Sequence, residues 1–249
     1  MTEENKQIKI IFQNKDLIAI DKAPGMVVFP DENYTEGTLS DRLLERFPEL
    51  KRVNERAGIL HRLDKDTSGL ILAAKNKKTF DFIKKAFEEK RIEKKYLALI
   101  IGNLREKRGE IATLIGRSPA DRKKQKAFLS HEPEAERKGL RRAITEYEVL
   151  KNLTDGKNLY ALLEVSPKTG RKHQIRVHLA HIGHPIAGDK TYGFKGQAVP
   201  EGLNRHFLHA SYLKFQLPDG QKKEFQSPLP EDLKQSLSQL VEIENLQKY

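Results

Sequence analysis

The chain contains no cysteine. That excludes disulfides, thiolate nucleophiles and cysteine-based zinc sites, and it leaves an intracellular home unopposed. Long apolar runs are also missing. The longest lies near Leu97–Ile101, far short of the roughly 20 residues needed to cross a bilayer. The first residues, Met1-Thr2-Glu3-Glu4, are acidic and polar, which argues against a signal or transit peptide. Neither standard glycine-rich phosphate loop occurs, nor does an HExxH metal motif or an internal repeat.

What the chain has in excess is positive charge. Lys and Arg number 46 against 35 Asp and Glu, giving a net charge of +11 over 249 residues. Such an excess favours a polyanionic partner, and a ribosome-sized particle, a transfer RNA or an anionic membrane would each fit it. With 37% hydrophobic residues the chain is not disordered in bulk. Its length allows one large domain or two small ones.

Periodicity predicts strands over Lys6–Phe12, Leu17–Ile20, Met26–Phe29, Lys94–Ile101, Glu110–Ile115, Ala143–Leu150, Leu159–Val165 and Phe207–Phe215, with a late one at Glu224-Phe225. It predicts helices over Thr38–Phe47, around Phe80–Phe87, over His173–Ile182 and over Leu233–Leu246. Strands outnumber helices and hairpin turns recur. The expected class is α+β, with a largely antiparallel or mixed central sheet and flanking helices.

The densest chemistry lies in His61-Arg62-Leu63-Asp64-Lys65-Asp66-Thr67-Ser68-Gly69, between the extended Gly58-Ile59-Leu60 and the apolar Leu70–Ala74. A polar turn between apolar strands is where a rigid scaffold presents reactive groups, and Asp64 is the candidate. Asp64, Asp66, Ser68 and Gly69 also match the opening of a calcium loop. That loop needs a bidentate Glu at its twelfth position, where this chain has Lys75. The plainer alternative is a surface turn with Asp64 paired to Arg62.

A second feature is the basic run from Arg117 to Arg142, which includes Arg122, Lys123, Lys124, Arg137 and Lys138 and few apolar residues. It is read as a loop or hairpin arm, with Arg122, Lys123 and Lys124 available to phosphates. A third is the crowding of His173, His178, His181 and His184 near Asp189. On a helix His178 and His181 would share a face, and with Asp189 they could hold a metal. The alternative is histidines that cap, pack or face RNA.

Taken in order, Arg62–Gly69, Thr169-Gly170-Arg171-Lys172-His173-Gln174-Ile175-Arg176 and His184-Pro185-Ile186-Ala187-Gly188-Asp189 resemble the motifs of the RluA family of RNA pseudouridine synthases. Tyr96, two residues beyond Lys94, is similar to that family's active-site tyrosine. The similarity runs from about Asp16 to Ser227. It implies the pseudouridine-synthase catalytic fold and isomerisation of a uridine in rRNA or tRNA. It implies Asp64 as the essential carboxylate, Tyr96 against the uracil, and Arg176 as the partner that keeps the aspartate ionised. Arg62 would hold the displaced nucleotide, Ile175 would line the base pocket and Arg171 would bind substrate. Many members carry an N-terminal S4 module, and the chain is expected to be a minimal form without it. A single catalytic domain over 1–249 is expected, with 117–142 as its arm. So are a cytoplasmic monomer, no membrane, no obligatory protein partner, and neither cofactor nor metal. The competing expectations are an RNA-binding module without turnover and a metal-dependent hydrolase built on the histidines.

Overall fold

The computed structural model describes residues 8–131 and 139–243. In chain order its elements are β1 (Lys9–Gln13), β2 (Leu17–Lys22), α1 (Leu39–Arg46), β3 (Ser68–Ala74), α2 (Lys77–Glu88), β4 (Glu93–Ile101), β5 (Arg108–Arg117) and β6 (Gln125–Phe128). There follow β7 (Arg141–Thr154), β8 (Leu159–Pro167), α3 (Gln174–His181), β9 (Leu208–Gln216), β10 (Lys222–Gln226), α4 (Glu231–Ser238) and β11 (Val241–Glu242). The α+β class with a mixed sheet is as expected. The chain divides into two compact units, one running through Lys94 and adding His209–Leu229, the other Lys95–Leu208 with the residues from Pro230.

In the first unit the strand order is β1-β2-β3-β9, with β10 on β9. β2 and β3 are antiparallel, in register from Leu17↔Ala74 to Lys22↔Gly69, whereas Ser68 and Gly69 pair in parallel with His209 and Ala210. All seven residues of β3 are buried, which is why it reads as an unbroken apolar run rather than an alternating one. Leu17, Leu70, Leu72, Ile83, Leu213 and Phe225 form the core beneath α2. Both helices start on side-chain caps. Thr38 and Asp41 make a capping box on α1, and Asn76 accepts the Thr79 N–H on α2.

The second unit has the order β4-β8-β7-β5-β6, with β11 on β7. β7 and β8 form the expected hairpin, closing at Thr154↔Leu159, and Asp155 Oδ1 accepts the Lys157 and Asn158 amides in the turn.

Two expectations change. Met26–Phe29 is not a strand. Its carbonyls at Val27 and Val28 accept the Leu39 and Ser40 amides at the start of α1, so the apolar run caps a helix instead of joining a ladder. The terminal helix stops at Ser238. Beyond it Val241 and Glu242 pair with Thr154 and Leu153 as a short strand, and Leu246 lies outside the described residues. The Arg117–Arg142 run, expected as a loop or hairpin arm, includes a hairpin. It contains β6, antiparallel to β5, whose Ala127 and Phe128 are buried. Arg137 and Lys138 lie outside the described residues, as does Lys6 of the first predicted strand.

Candidate active site

In the first unit, residues 58–60 run beside β3, with Leu60 N–H on Leu72 O and Ala74 N–H on Gly58 O, both 2.9 Å. The chain then crosses to a turn in which the Thr67 N–H donates to the Asp64 carbonyl at 3.1 Å and re-enters the sheet at Ser68. Two glycines permit this path. Gly58 (φ +66°) would place a Cβ 2.1 Å from Ala74 O, and Gly69 (φ +112°) one 2.2 Å from Ala210 O. Asp64 is half-buried at the head of the turn and Arg62 is exposed.

The turn is held from behind by polar groups that sequence reading passed over. Lys22 is 1% exposed. Its ammonium donates to Ala23 O (2.8 Å), Met26 O (3.0 Å) and Lys65 O (2.8 Å), which uses all three of its hydrogens. The Lys65 carbonyl belongs to the residue after Asp64, so a buried cation fixes the main chain of the turn. Ser68 does not turn outward as a calcium ligand would. Its Oγ meets His209 Nδ1 at 3.0 Å, and His209 Nε2 donates to Ser227 O at 2.9 Å. With Nε2 carrying the proton, Nδ1 accepts from Ser68.

His61 sets the approach to Arg62. Its Nε2 accepts the Leu72 N–H at 3.2 Å and its ring lies 5.0 Å from that of Phe87. Burial, and then the charge of Lys94, lower its pKa to about 3, so it stays neutral and keeps that acceptor. Burial also lowers Lys94 itself to about 8.

In the second unit, Tyr96 is half-buried on β4, opposite Val165 of β8. Ile175 and Arg176 are both 6% exposed on α3. This helix buries every residue from Gln174 to Leu179 rather than the single side expected. Buried polar groups make that possible. Gln174 donates through Nε2 to Ile144 O and Thr145 Oγ1, both 2.9 Å, and its Oε1 accepts from Thr169 Oγ1 and the Arg171 N–H.

The Arg176 guanidinium forms a buried fork on Asp189, Nε to Oδ2 at 2.7 Å and Nη2 to Oδ1 at 2.9 Å. Asp189 Oδ1 also accepts the Thr191 and Tyr192 amides. Burial alone would raise the Asp189 pKa. The Arg176 hydrogen bonds and charge, helped by Thr191 and His206, bring it below the usual carboxylate value. The Tyr192 ring lies 5.1 Å from the Arg176 guanidinium, and its hydroxyl accepts the Gln125 N–H and meets His173 Nδ1.

The histidines do not gather around a metal. His178 is fully buried between Thr113 Oγ1 (3.0 Å) and Thr145 Oγ1 (2.8 Å). Burial, then His181, lower it to about 4. His173 meets Tyr192, and His184 Nδ1 donates to Ile101 O. Asp189, the carboxylate that would have joined them, is committed to Arg176. Among the described residues no three of His, Asp and Glu come together as a metal-holding group. Of the other expected substrate contacts, Arg122 and Lys123 are exposed at the β5–β6 turn, and Lys124 and Arg171 are half-buried. Arg171 Nε donates to Arg142 O. Of the missed residues, His61 and Asp189 in its bonded role lie beside or within the motifs, whereas Lys22 carried no signal beyond being a cation before a turn.

The chain belongs to the RNA pseudouridylate synthase family, whose model matches residues 16–181. It is 40% identical over 247 residues to an uncharacterized RNA pseudouridine synthase of Aquifex aeolicus, covering 96% of this chain and 75% of that one. It is 40% identical over 233 residues to ribosomal large subunit pseudouridine synthase D of Nitrosomonas europaea, covering 91% and 63%. The chain thus spans between about three fifths and three quarters of these relatives' length. Among solved structures, human RNA pseudouridylate synthase domain containing 1 superposes with a TM-score of 0.76 at 26% identity, covering 98% of this chain and 93% of that one. The RluA-family resemblance read from the motifs is borne out, and the chain is an RNA pseudouridine synthase. No helix among the described residues is long and apolar enough to cross a membrane.

Proposed function

We propose that this enzyme converts a specific uridine in structured RNA to pseudouridine, with Asp64 as the essential carboxylate. In that reaction the bond from ribose to N1 breaks, the base turns, and C5 joins the ribose while its proton is lost to N1. Nothing is gained or lost overall, so the chemistry consumes no cofactor. What it needs is an ionised carboxylate beside an extruded base. The observation that carries the reading is the Asp64–Thr67 turn, held by its own backbone bond and by Lys22 on the Lys65 carbonyl. A turn braced in this way presents its carboxylate in a fixed place.

Tyr96 would lie against the uracil and assist removal of the C5 proton. Ile175 would line the pocket, Arg62 would hold the displaced nucleotide, and Arg176 would keep Asp64 ionised. Arg171, Arg122, Lys123 and Lys124 would meet phosphates. A single catalytic domain over 1–249 would carry this reaction, acting as a cytoplasmic monomer without metal. The name of the Nitrosomonas europaea relative favours large-subunit ribosomal RNA over transfer RNA as substrate. Mapping pseudouridine in total RNA from cells with and without the protein tests the substrate.

The catalytic assignment is tested by Asp64→Asn, which keeps size but removes the charge. Turnover should fall to background with the fold intact and RNA affinity held or raised. Asp66→Asn, in the same turn, should cost far less. An active Asp64→Asn enzyme beside a dead Asp66→Asn one would move the chemistry by two positions.

A further inference from the structure

Two aromatic rings are found among the exposed large apolar side chains of the described residues, Tyr34 at 40% and Phe194 at 55%. Tyr34 has a local explanation. Its hydroxyl accepts from Lys65 Nζ at 2.5 Å, in a loop with Asp31, Glu32 and Glu36 exposed. Phe194 has no hydroxyl to anchor, and its surroundings carry the opposite charge. Lys190 and Lys195 flank it, both exposed, and no acidic residue occurs from Lys190 to Pro200.

The backbone under Phe194 is closed by hydrogen bonds. Its N–H donates to Gln197 Oε1 at 3.0 Å, and the Gln197 N–H returns to Phe194 O at 3.2 Å. Gly193 donates to Asp189 O at 2.9 Å. A Cβ on Gly193 would come within 2.2 Å of Gln197 Oε1 and 2.5 Å of Asp189 O, so the turn closes this tightly only with glycine there. Asp189 in turn holds Arg176, and Tyr192 ties the same segment to Gln125 of β6. An exposed ring would bury its apolar area more favourably in a protein core. Here it is held out on an ordered turn between two cations. That combination suits stacking on an unpaired base with phosphates to either side, and the fixed backbone lowers the ordering cost of binding.

We propose that Phe194 is a stacking platform for an unpaired base of the RNA substrate, with Lys190 and Lys195 neutralising the adjoining phosphates. This rests on RNA being the substrate, and not on which residue performs the chemistry. The chain has no tryptophan, so Phe194→Trp introduces a single reporter at the site. Its fluorescence should be quenched by single-stranded oligouridylate and left unchanged by inorganic polyphosphate, which has charge but no bases. In filter-binding titrations with labelled oligouridylate, Phe194→Ala should bind roughly 5- to 150-fold more weakly than the parent with an unchanged salt slope, since no charge is lost. Lys195→Ala should flatten that slope.

Equal quenching by polyphosphate, or oligouridylate binding by Phe194→Ala that matches the parent, would overturn the proposal. Running both variants in the Asp64→Asn background separates the two readings. Turnover reports on Asp64, whereas quenching and affinity report on Phe194.

Discussion

Lys22 in the first unit and Arg176 in the second are both buried cations, yet they are held in different ways. Lys22 spends its ammonium on three backbone carbonyls. Arg176 spends a planar fork on one carboxylate, Asp189. The first arrangement fixes main chain, including the turn that follows Asp64. The second fixes a side chain and joins helix α3 to the segment that carries Tyr192 and Phe194. A point charge with three freely directed donors suits convergent carbonyls, and a rigid fork suits a carboxylate.

The difference predicts unequal losses. Asp189→Asn takes the charge from the carboxylate on which the buried Arg176 fork closes and should cost about 3 kcal/mol of stability. Lys22→Met strands three carbonyls but also removes the cost of burying a cation, so its net loss should be smaller, about 2 kcal/mol. Turnover measured well below the melting temperature should rank differently, with Lys22→Met losing more activity per unit of stability because the Asp64 turn loosens. Urea unfolding gives the first comparison and initial rates the second. If Lys22→Met proved the more destabilising of the two, the contrast drawn between these cations would fail.

Each unit also buries a neutral histidine, and here the expected effect depends on pH. His178, at about 4, and His61, at about 3, are lowered from an unfolded value near 6.5. As pH falls below 6.5 the unfolded chain binds protons that the folded chain refuses, so stability declines. For His178 the decline runs down to about pH 4 and then levels off, amounting to about 2 kcal/mol at pH 5. His61, less enclosed by exposure, should contribute less. Asp189 acts in a lower window, because its depressed pKa gives stability that is lost only as pH falls through the folded value. His178→Gln should therefore be less stable at neutral pH, through lost bonds to Thr113 and Thr145, and should show a flatter decline between pH 6.5 and 4. Melting curves at pH 7 and pH 5 check this, and an unchanged decline would show that His178 takes up its proton in the fold as readily as in the unfolded chain.

These contrasts mark how far the sequence could be read. The turn that carries Asp64 was legible because a polar, turn-prone stretch stands there between apolar strands, in a motif that precedes two others in order. The β2, β3, β7 and β8 strands were legible from periodicity. Met26–Phe29 was misread because apolar spacing reports burial and not which donor a carbonyl will meet, and these carbonyls meet α1. The same limit hid Lys22, which reads as an ordinary cation in a turn until Met26 and Lys65 fold over it. Arg176 was singled out, but its fork on Asp189 spans thirteen residues of helix and turn, a closure that no local pattern specifies. His178 was read as a possible ligand because spacing cannot show that Thr113 and Thr145 arrive from other strands.

The smallest expected effect concerns the β5–β6 turn, and it sharpens the contrast with Phe194. The turn is closed by its own hydrogen bonds. Ser118 N–H donates to Lys124 O, Lys124 N–H to Asp121 O, and Lys123 N–H to Asp121 Oδ1. Arg122 and Lys123 are exposed and Lys124 is half-buried. Replacing all three with Ala should leave stability nearly unchanged, as exposed substitutions do. If Arg122 and Lys123 each neutralise a phosphate, the plot of log affinity against log salt should flatten by roughly 1.4 to 1.8, at 0.7 to 0.9 per contact. A drop near roughly 2.1 to 2.7 would bring in Lys124 as a third contact. Phe194→Ala should do the reverse, lowering affinity at every salt concentration with the slope intact. A triple variant whose slope matches the parent would mean that Asp121 and the local fold already neutralise this turn. The net +11 would then have to meet RNA elsewhere, with Lys190 and Lys195 the next pair to replace.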